Sequence, residues 1–399
     1  MVRFAHIADC HLGCWRQEEL QSLNFESFKR AVERSLEERV DFILIAGDLF
    51  DSAYPSIEVL KDCFSVLKNV KDSGIPVYLI AGSHDYSTAG KTFLDVLERA
   101  GFCKNVTSYE VEEDGRIKLF PFFHKDIAIY GYPGKKSGME IEELKRVYFD
   151  SLNPFTIFML HTTIKDVVGT IPMDSIEKEK LPLANYYAFG HIHKRYDSQI
   201  GNSTFVYPGP TFPANFQELS DLKTGSFCFV ELVNGVLKMK RELIPLKEVV
   251  NFEIEIENGL TATQEIISKL DQSNLKDKIV LLKLKGTLKT GKTGDISFNE
   301  IEDFVRKKEA YSFIRNISFL KISETLFEEG DSGEDNVEEI ERKILNEYSI
   351  KNPGNLFNKH LGEFMNILSI EKAEEEKSSV FEERLLSELR NTLEIKGAF

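Results

Sequence analysis

Apolar residues in the first two hundred positions come in short continuous runs, and each run stops at a small group of polar residues. "RFAHIAD" (3–9), "VDFILIAGDLFD" (40–51), "PVYLIAGSHD" (76–85), "DIAIYGYP" (126–133), "FTIFMLHTT" (155–163), "YYAFGHIH" (186–193) and "TFVYPGP" (204–210) read as strands. Between the first three lie segments of helical period, "LNFESFKRAVERSLEER" (23–39) and "SIEVLKDCFSVLKNVKDSG" (56–74), the second closed by glycine. Strand–helix–strand order with strands apolar along their whole length predicts parallel pairing, with helices on both faces of the sheet. The expected class is α/β.

After Pro245 the texture changes. "VVNFEIEIE" (249–257) and "KIVLLKLKG" (278–286) alternate in the manner of half-buried strands around a helical "ATQEIISKLDQ" (262–272). This predicts a small α+β domain at 246–327, following a first domain at 1–245. "EEGDSGEDN" (328–336) is acidic, glycine-bearing and without apolar anchors, the composition of a linker. Beyond it, 337–399 contains two helical stretches, "VEEIERKILNEY" (337–348) and "FEERLLSELRNTL" (381–393). Phe381, Leu385, Leu389 and Leu393 fall on one i, i+4 stripe of the second stretch. So short a piece has little core of its own, which favours a stripe that docks on a partner over a self-packed helical pair.

Composition narrows the class. At 399 residues, 42% hydrophobic and 29% charged, the chain has material for more than one core. No apolar run approaches the length of a membrane span, and the N-terminal residues enter a strand directly instead of forming a signal peptide. Five cysteines without a C-x-x-C pair fit reduced thiols and a cytoplasmic location better than a disulfide framework or a zinc ribbon. A net charge of −15 argues against coating nucleic acid by bulk electrostatics. It does not exclude a nuclease, because a dense carboxylate site carries cations that offset its charge.

The chemistry sits where the strands stop. Five segments carry groups suited to metals: Asp9 and His11 in "ADCH"; Asp48 and Asp51 in "GDLFD"; Ser83, His84 and Asp85 in "GSHD"; His161 in "LHTT"; His191 and His193 in "GHIH". The carboxyl ends of parallel strands open onto one crevice, so these scattered residues are expected to converge. A lone D-x-H or H-x-H is common by chance, yet five of the eight histidines lie in these segments. Mixed imidazole and carboxylate donors suit Mn²⁺, Fe²⁺ or Zn²⁺, and there are too many for one tetrahedral site, so two ions are expected. Asp48 is the candidate to bridge them. Such a pair activates a water and stabilises phosphoryl charge.

In order and type, these segments resemble the calcineurin-like metallophosphoesterase superfamily, whose pattern runs D-x-H, G-D, G-N-H-D/E, H, G-H-x-H. With "GDLFD", "YPG" (132–134) and "VYPGPTF…FQE" (206–218), the chain looks like the Mre-eleven/SbcD family of double-strand-break repair nucleases. The resemblance implies a metallophosphoesterase sandwich of mostly parallel and mixed sheets flanked by helices. It also implies a small capping domain and a C-terminal helical segment that binds an SMC-like ABC ATPase of the SbcC/Rad-fifty type. The implied activity is exo- and endonucleolytic, on double- and single-stranded DNA, with two Mn²⁺ per subunit. One ion would be held by Asp9, His11, Asp48 and His193, and the second by Asp48, the residue at 83, His161 and His191. His84 would contact the scissile phosphate. A homodimer through the helices at 23–39 and 56–74 is also implied, although their periodicity fits core contacts equally. Competing readings are a phosphodiesterase or phosphatase for smaller substrates, and a DNA-binding scaffold with weakened catalysis.

Two positions depart from that pattern. Ser83 replaces asparagine, exchanging a carbonyl oxygen for a shorter, weaker donor, so the second site is expected to be weakened but not abolished. Asp51 stands where some relatives carry histidine; it reads either as a catalytic group or as a cap on the following helix. Lys135 and Lys136 after "YPG", and Lys194 and Arg195 after "GHIH", read equally as DNA phosphate contacts and as a solvated basic patch. His6, His124 and His360 belong to no constellation and read as structural or exposed. Cys10 points away from its two neighbours and is not counted as a ligand.

Overall fold

The computed structural model divides the chain into two compact units, residues 1–323 and 324–399. It describes 1–322 apart from 88–89, 91, 136–137, 151–154 and 170–173, and in the second unit residues 360, 363, 367, 370 and 378–392. Lys136, the linker at 328–336 and the helical stretch at 337–348 lie outside the described residues. In the second unit Ser378–Thr392 is one helix, covering all but the last residue of the predicted 381–393 segment.

Two six-stranded sheets form the main body of the first unit. In one, Val2–Ile7, Phe42–Ala46, Val77–Ile80 and the short Lys104–Asn105 run parallel, and Gly225–Val233 and Val236–Ile244 extend the other edge as an antiparallel hairpin. In the other, Ile127–Tyr132, Phe155–His161, Tyr186–Gly190 and Ser203–Tyr207 run parallel, flanked by antiparallel Phe122–His124 and Tyr196–Ile200.

Alternation along the strands decides what each face meets. Ile43 and Ile45 point outward with Ala5 and Ile7, onto Phe28, Ala31 and Val32 of helix Glu18–Glu37 and Val66, Leu67 and Val70 of helix Ile57–Asp72. Phe4, Phe42, Leu44 and Tyr78 point inward, onto Ile129, Ile157, Met159 and Tyr186 of the second sheet. The expectation of helices on both faces is therefore corrected: the inner face of each sheet is covered by the other sheet. Continuous apolar runs report two buried faces, but not what covers each one. His6 lies between the sheets, fully buried, with Nδ1 2.9 Å from the Tyr186 hydroxyl and Nε2 3.2 Å from the Phe189 carbonyl. Burial pushes its pKa down to about 3, so it is a neutral structural group.

Residues 249–322 build a parallel three-stranded sheet, Val249–Glu255, Ile279–Leu288 and Ser312–Ile322, with helices Gly259–Asp271 and Phe298–Lys307. Val249, Ile279 and Leu281 pack with Trp15, Leu20, Phe212 and Leu219 of the main body, so one apolar cluster joins the two parts. The Trp15 indole donates to the Pro213 carbonyl at 3.0 Å, fixing the loop that follows the first strand.

The two sheets approach most closely where their strands end. A Cβ on Gly190 would lie 2.0 Å from the Ala46 carbonyl oxygen and 2.9 Å from His161 Nδ1. Gly190→Ala must therefore separate the sheet edges. We expect it to cost roughly 1–3 kcal/mol or more, read as a lowered urea midpoint, and unchanged stability would refute the tightness of this contact.

Candidate metal centre

Three of the five segments that reach the crevice turn on residues with left-handed backbone: Asp9 at φ +52° and His11 at +43°, Asp48 at +49°, and His191 at +94°. Such φ values cost non-glycine residues roughly 1–3 kcal/mol each and persist only where surrounding contacts enforce them. Here the contacts are visible. Asp9 N–H donates to the Gly47 carbonyl (3.2 Å), His11 N–H to the Asp48 carbonyl (3.0 Å) and Leu12 N–H to the Leu49 carbonyl (3.0 Å), so the first two strands stay tied beyond their ends. Buried Asn24 adds a clamp, accepting from Gly13 N–H and donating to the Cys10 carbonyl.

The carboxylates are held by one oxygen and offer the other. Asp9 Oδ1 accepts from His191 N–H at 2.8 Å, while its buried Oδ2 has no hydrogen-bond partner. Asp48 Oδ1 accepts from His84 N–H at 2.8 Å, while Oδ2 lies 3.5 Å from His11 Nε2 and 3.1 Å from His161 Nε2. That single oxygen stands between two sets of donors. Asp9, His11 and His193 converge on one point, and Asp48, His161 and His191 on another, each set with donor atoms within 4.8 Å of one another. His11, Asp48 and His84 form a third such group.

Partners on the far side of each ring set the tautomers. Asp51 Oδ1 is 3.1 Å from His11 Nδ1, Glu218 Oε1 is 2.9 Å from His193 Nδ1, and the Ala46 carbonyl is 3.0 Å from His161 Nδ1. Carboxylate and carbonyl oxygens only accept, so these Nδ1 atoms carry hydrogen and each Nε2 turns toward the crevice. His11 Nε2 and His193 Nε2 are 3.0 Å apart. Two lone pairs repel at that distance unless a proton or a metal cation lies between them. The donors, the unpartnered Asp9 Oδ2 and the facing Nε2 atoms all fit divalent ions.

Electrostatics agrees. Burial works against charge at Asp48 and His161, yet their attraction wins: Asp48 is held well below the usual carboxylate range and His161 is raised to about 9. Burial also opposes charge on His193, but Glu218 raises it to about 8. His191 goes the other way, lowered to about 3 by burial and the neighbouring His161 charge.

His84 has about half its side chain exposed; its Nδ1 donates to the Asp51 carbonyl at 2.8 Å, and among the described residues no hydrogen bond reaches its Nε2. Ser83 occupies the turn beside it, half-buried, between the Gly82 that touches Asp48 and the His84 N–H that Asp48 accepts. Asp51 does not cap the next helix, since Ser56 does. It orients His11 through its carboxylate and His84 through its carbonyl.

The basic residues read as phosphate contacts are placed differently from one another. Lys135 Nζ is 2.6 Å from Glu143 Oε1, and the Arg195 guanidinium donates to Ser226 Oγ and to the Leu222 and Thr224 carbonyls. Both are engaged internally; Lys194 is exposed, and its Nζ donates to the Val167 carbonyl at 3.4 Å. Cys10 is buried and free, packed under the first sheet's helices. His124 meets the Tyr78 hydroxyl at 3.0 Å, away from the crevice, and in the second unit His360 meets Glu363 at 3.0 Å.

Two residues take roles beyond the sequence expectation, which counted Asp85 only among the groups suited to metals and gave Glu218 no role. Buried Asp85 accepts from Gly82, Leu49 and Phe50 N–H groups and staples the second and third strand ends together. Burial, with Asp48 nearby, raises its pKa to about 7. Glu218 forms a capping pair with Asn215 at the start of helix Phe216–Leu222, and an N-x-x-E spacing was the available signal.

These features define a phosphoesterase centre, and comparison places the chain. Residues 2–195 match the family described as calcineurin-like phosphoesterase. Within it, the chain resembles the Mre11 proteins. It is 27% identical to the DNA double-strand break repair protein Mre11 of Archaeoglobus fulgidus over 79% of this chain and 74% of that protein. It is 28% identical to Mre11 of Methanococcus maripaludis over 86% and 90% respectively. It is also 28% identical to the uncharacterized metallophosphoesterase YhaO of Bacillus subtilis, over 59% of this chain and 58% of that protein. The family implies a dinuclear divalent-metal site and a metal-dependent phosphoesterase. No helix among the described residues is long and apolar enough to cross a membrane.

At pH 7 the metal-free centre holds protons on His161 and His193, where a cation would take the lone pairs. Binding must expel them, so affinity is expected to rise with pH from 6.5 toward about 9 and then level off. Calorimetry of Mn²⁺ binding in buffers of different ionisation enthalpy should detect about two protons released per subunit near pH 7. Binding that releases none would contradict the assignment.

Proposed function

We propose that this chain is the Mn²⁺-dependent nuclease subunit of a DNA double-strand-break repair complex, hydrolysing phosphodiesters of double- and single-stranded DNA. The observation that carries the reading is Asp48 Oδ2, placed between His11 Nε2 and His161 Nε2 so that one carboxylate serves two cation sites. The likeness to Mre11 proteins over most of the chain supports the choice of DNA among phosphodiester substrates.

Asp9, His11, Asp48 and His193 would hold one ion, and Asp48, His161 and His191 the second, with Ser83 alongside. Two such ions supply Lewis-acid stabilisation of the phosphoryl charge and activate a water. The protein's own part is positional. The strained turns hold the donors before substrate arrives, so little reorganisation accompanies charge development. His84, oriented by the Asp51 carbonyl, presents Nε2 outward to the scissile phosphate, as a charge-stabilising donor when protonated or as the acid for the leaving 3′ oxygen. Ser83 offers the second site only a short hydroxyl, which leaves that site the weaker one. Residues 1–245 are the nuclease domain in this reading, and 246–327 cap it.

For the 337–399 segment we propose docking on an SMC-like ATPase. Phe381, Leu385 and Leu389 share a face of helix Ser378–Thr392, and Leu386 beside them is half exposed; Leu393 lies outside the described residues. A homodimer is part of the proposal, and its contact must lie beyond the helix faces already buried on the first sheet.

His84→Gln should lower Mn²⁺-dependent cleavage of linear DNA roughly 10²–10⁴-fold while Mn²⁺ binding, followed by calorimetry, stays intact. Equal activity would remove His84 from the reaction, and wild-type chain that cleaves no DNA with Mn²⁺, even with the ATPase present, would sink the nuclease reading. Leu385→Asp in the full chain should abolish co-purification with the SMC-like ATPase and leave basal cleavage unchanged. Retained binding would move the docking surface elsewhere.

A further inference from the structure

The two cation sites differ in what stands behind their histidines. Behind His11 is the Asp51 carboxylate at 3.1 Å, and behind His193 is the Glu218 carboxylate at 2.9 Å. Behind His161 is a neutral carbonyl, and among the described residues no hydrogen bond reaches a His191 ring nitrogen. A carboxylate on the far nitrogen fixes the tautomer and makes the facing nitrogen more basic toward a metal, whereas a carbonyl fixes only the tautomer.

Both carboxylates are themselves anchored. Glu218 accepts from Ala214 N–H at 2.8 Å, and its own N–H donates to Asn215 Oδ1 at 3.0 Å, so its aim toward His193 is set by the helix start. Asp51 belongs to the loop that Asp85 staples through the Leu49 and Phe50 N–H groups. The first site has Asp9 as a carboxylate donor of its own and the shared Asp48 Oδ2 3.5 Å from His11 Nε2, whereas the second has only the shared Asp48.

We infer that Asp51 and Glu218 are positioning residues that make the Asp9–His11–His193 side the high-affinity cation site, so that the two ions enter in a fixed order. Asp51 then has two separable duties in this chain. Its carboxylate serves a metal ligand, and its backbone carbonyl serves His84. A side-chain substitution removes the first, together with the carboxylate's 3.7 Å approach to His84 Nδ1, and leaves the carbonyl's hydrogen bond. The inference rests on the two-metal reading above.

The test is Mn²⁺ titration of the metal-stripped full chain, by calorimetry and by the electron paramagnetic resonance of free Mn²⁺. Wild type should show two resolved steps, one ion each. Asp51→Ala or Glu218→Ala should weaken the tight step roughly 10–100-fold with the weak step unmoved. Asp51→Asn and Glu218→Gln, which keep an acceptor oxygen without its charge, should lose less. Ser83→Asn should tighten only the weak step. Nitrogen-15 histidine spectra of the metal-free wild type, taken at a pH above about 9 where His193 is neutral, should show His11 and His193 as Nδ1–H tautomers, a signature that the alanine variants lose at the ring concerned. Metal-free melting temperatures identify any variant that acts by unfolding, and the amide variants then decide. Two indistinguishable steps in wild type, or equal loss of both steps in the variants, would overturn the inference and leave two-metal chemistry standing. A single ion, or none, would overturn both.

Discussion

Everything near the crevice depends on keeping Asp48 ionised inside protein. An isolated carboxylate buried at this depth would be neutralised, because desolvation disfavours its charge. Here the His84 N–H and the facing His11 and His161 rings keep it charged, and the same oxygen that faces those rings suits a bridging position between cations. Holding that arrangement requires two sheets to bring their strand ends together. Glycines at 47, 82 and 190 let them meet, since a Cβ at Gly82 would fall 2.2 Å from Asp48 Oδ1 and one at Gly47 would fall 2.2 Å from His161 Nδ1. The left-handed turns at Asp9, His11, Asp48 and His191 are the backbone consequence. Local strain and close approach at one place are supported by the large inter-sheet core of Phe4, Phe42, Met159 and Tyr186.

Much of this was legible before any coordinates. Parallel strands with polar ends imply a shared crevice, and the histidine distribution singled out its occupants, which the fold does bring together. The legible part is what periodicity and residue chemistry encode locally. The illegible part is relational. No strand pattern states whether its second buried face meets a helix or another sheet, and that decided the architecture. The hairpin Gly225–Val233 and Val236–Ile244 carried an available signal in Asn234-Gly235, whose φ values of +52° and +81° fit the tight turn such a pair favours. Asp51 shows the deeper limit. Its residue type allowed a cap or a catalytic group, but its use by carboxylate toward one histidine and by carbonyl toward another exists only in three dimensions.

The electrostatics of the centre has a consequence for DNA. Asp9, Asp48, Asp51 and Glu218 crowd into one crevice of a chain already at −15, so the bare site repels a polyanion. Of the basic residues beside it, Lys135 is committed to Glu143 and Arg195 to internal oxygens, and Lys194, the exposed one among the described members of that set, is held by the Val167 carbonyl at 3.4 Å. Under the proposed function, the bound cations are then required twice, once for the chemistry and once to make the crevice hospitable to phosphate. Affinity beyond those few contacts has to come from outside the nuclease domain. An SMC-like partner gripping DNA would raise the local concentration of the strand at a site that binds it weakly. The acidity that argues against a free-standing DNA-coating protein is, on this account, the reason cleavage would be confined to DNA that a partner delivers and cations admit.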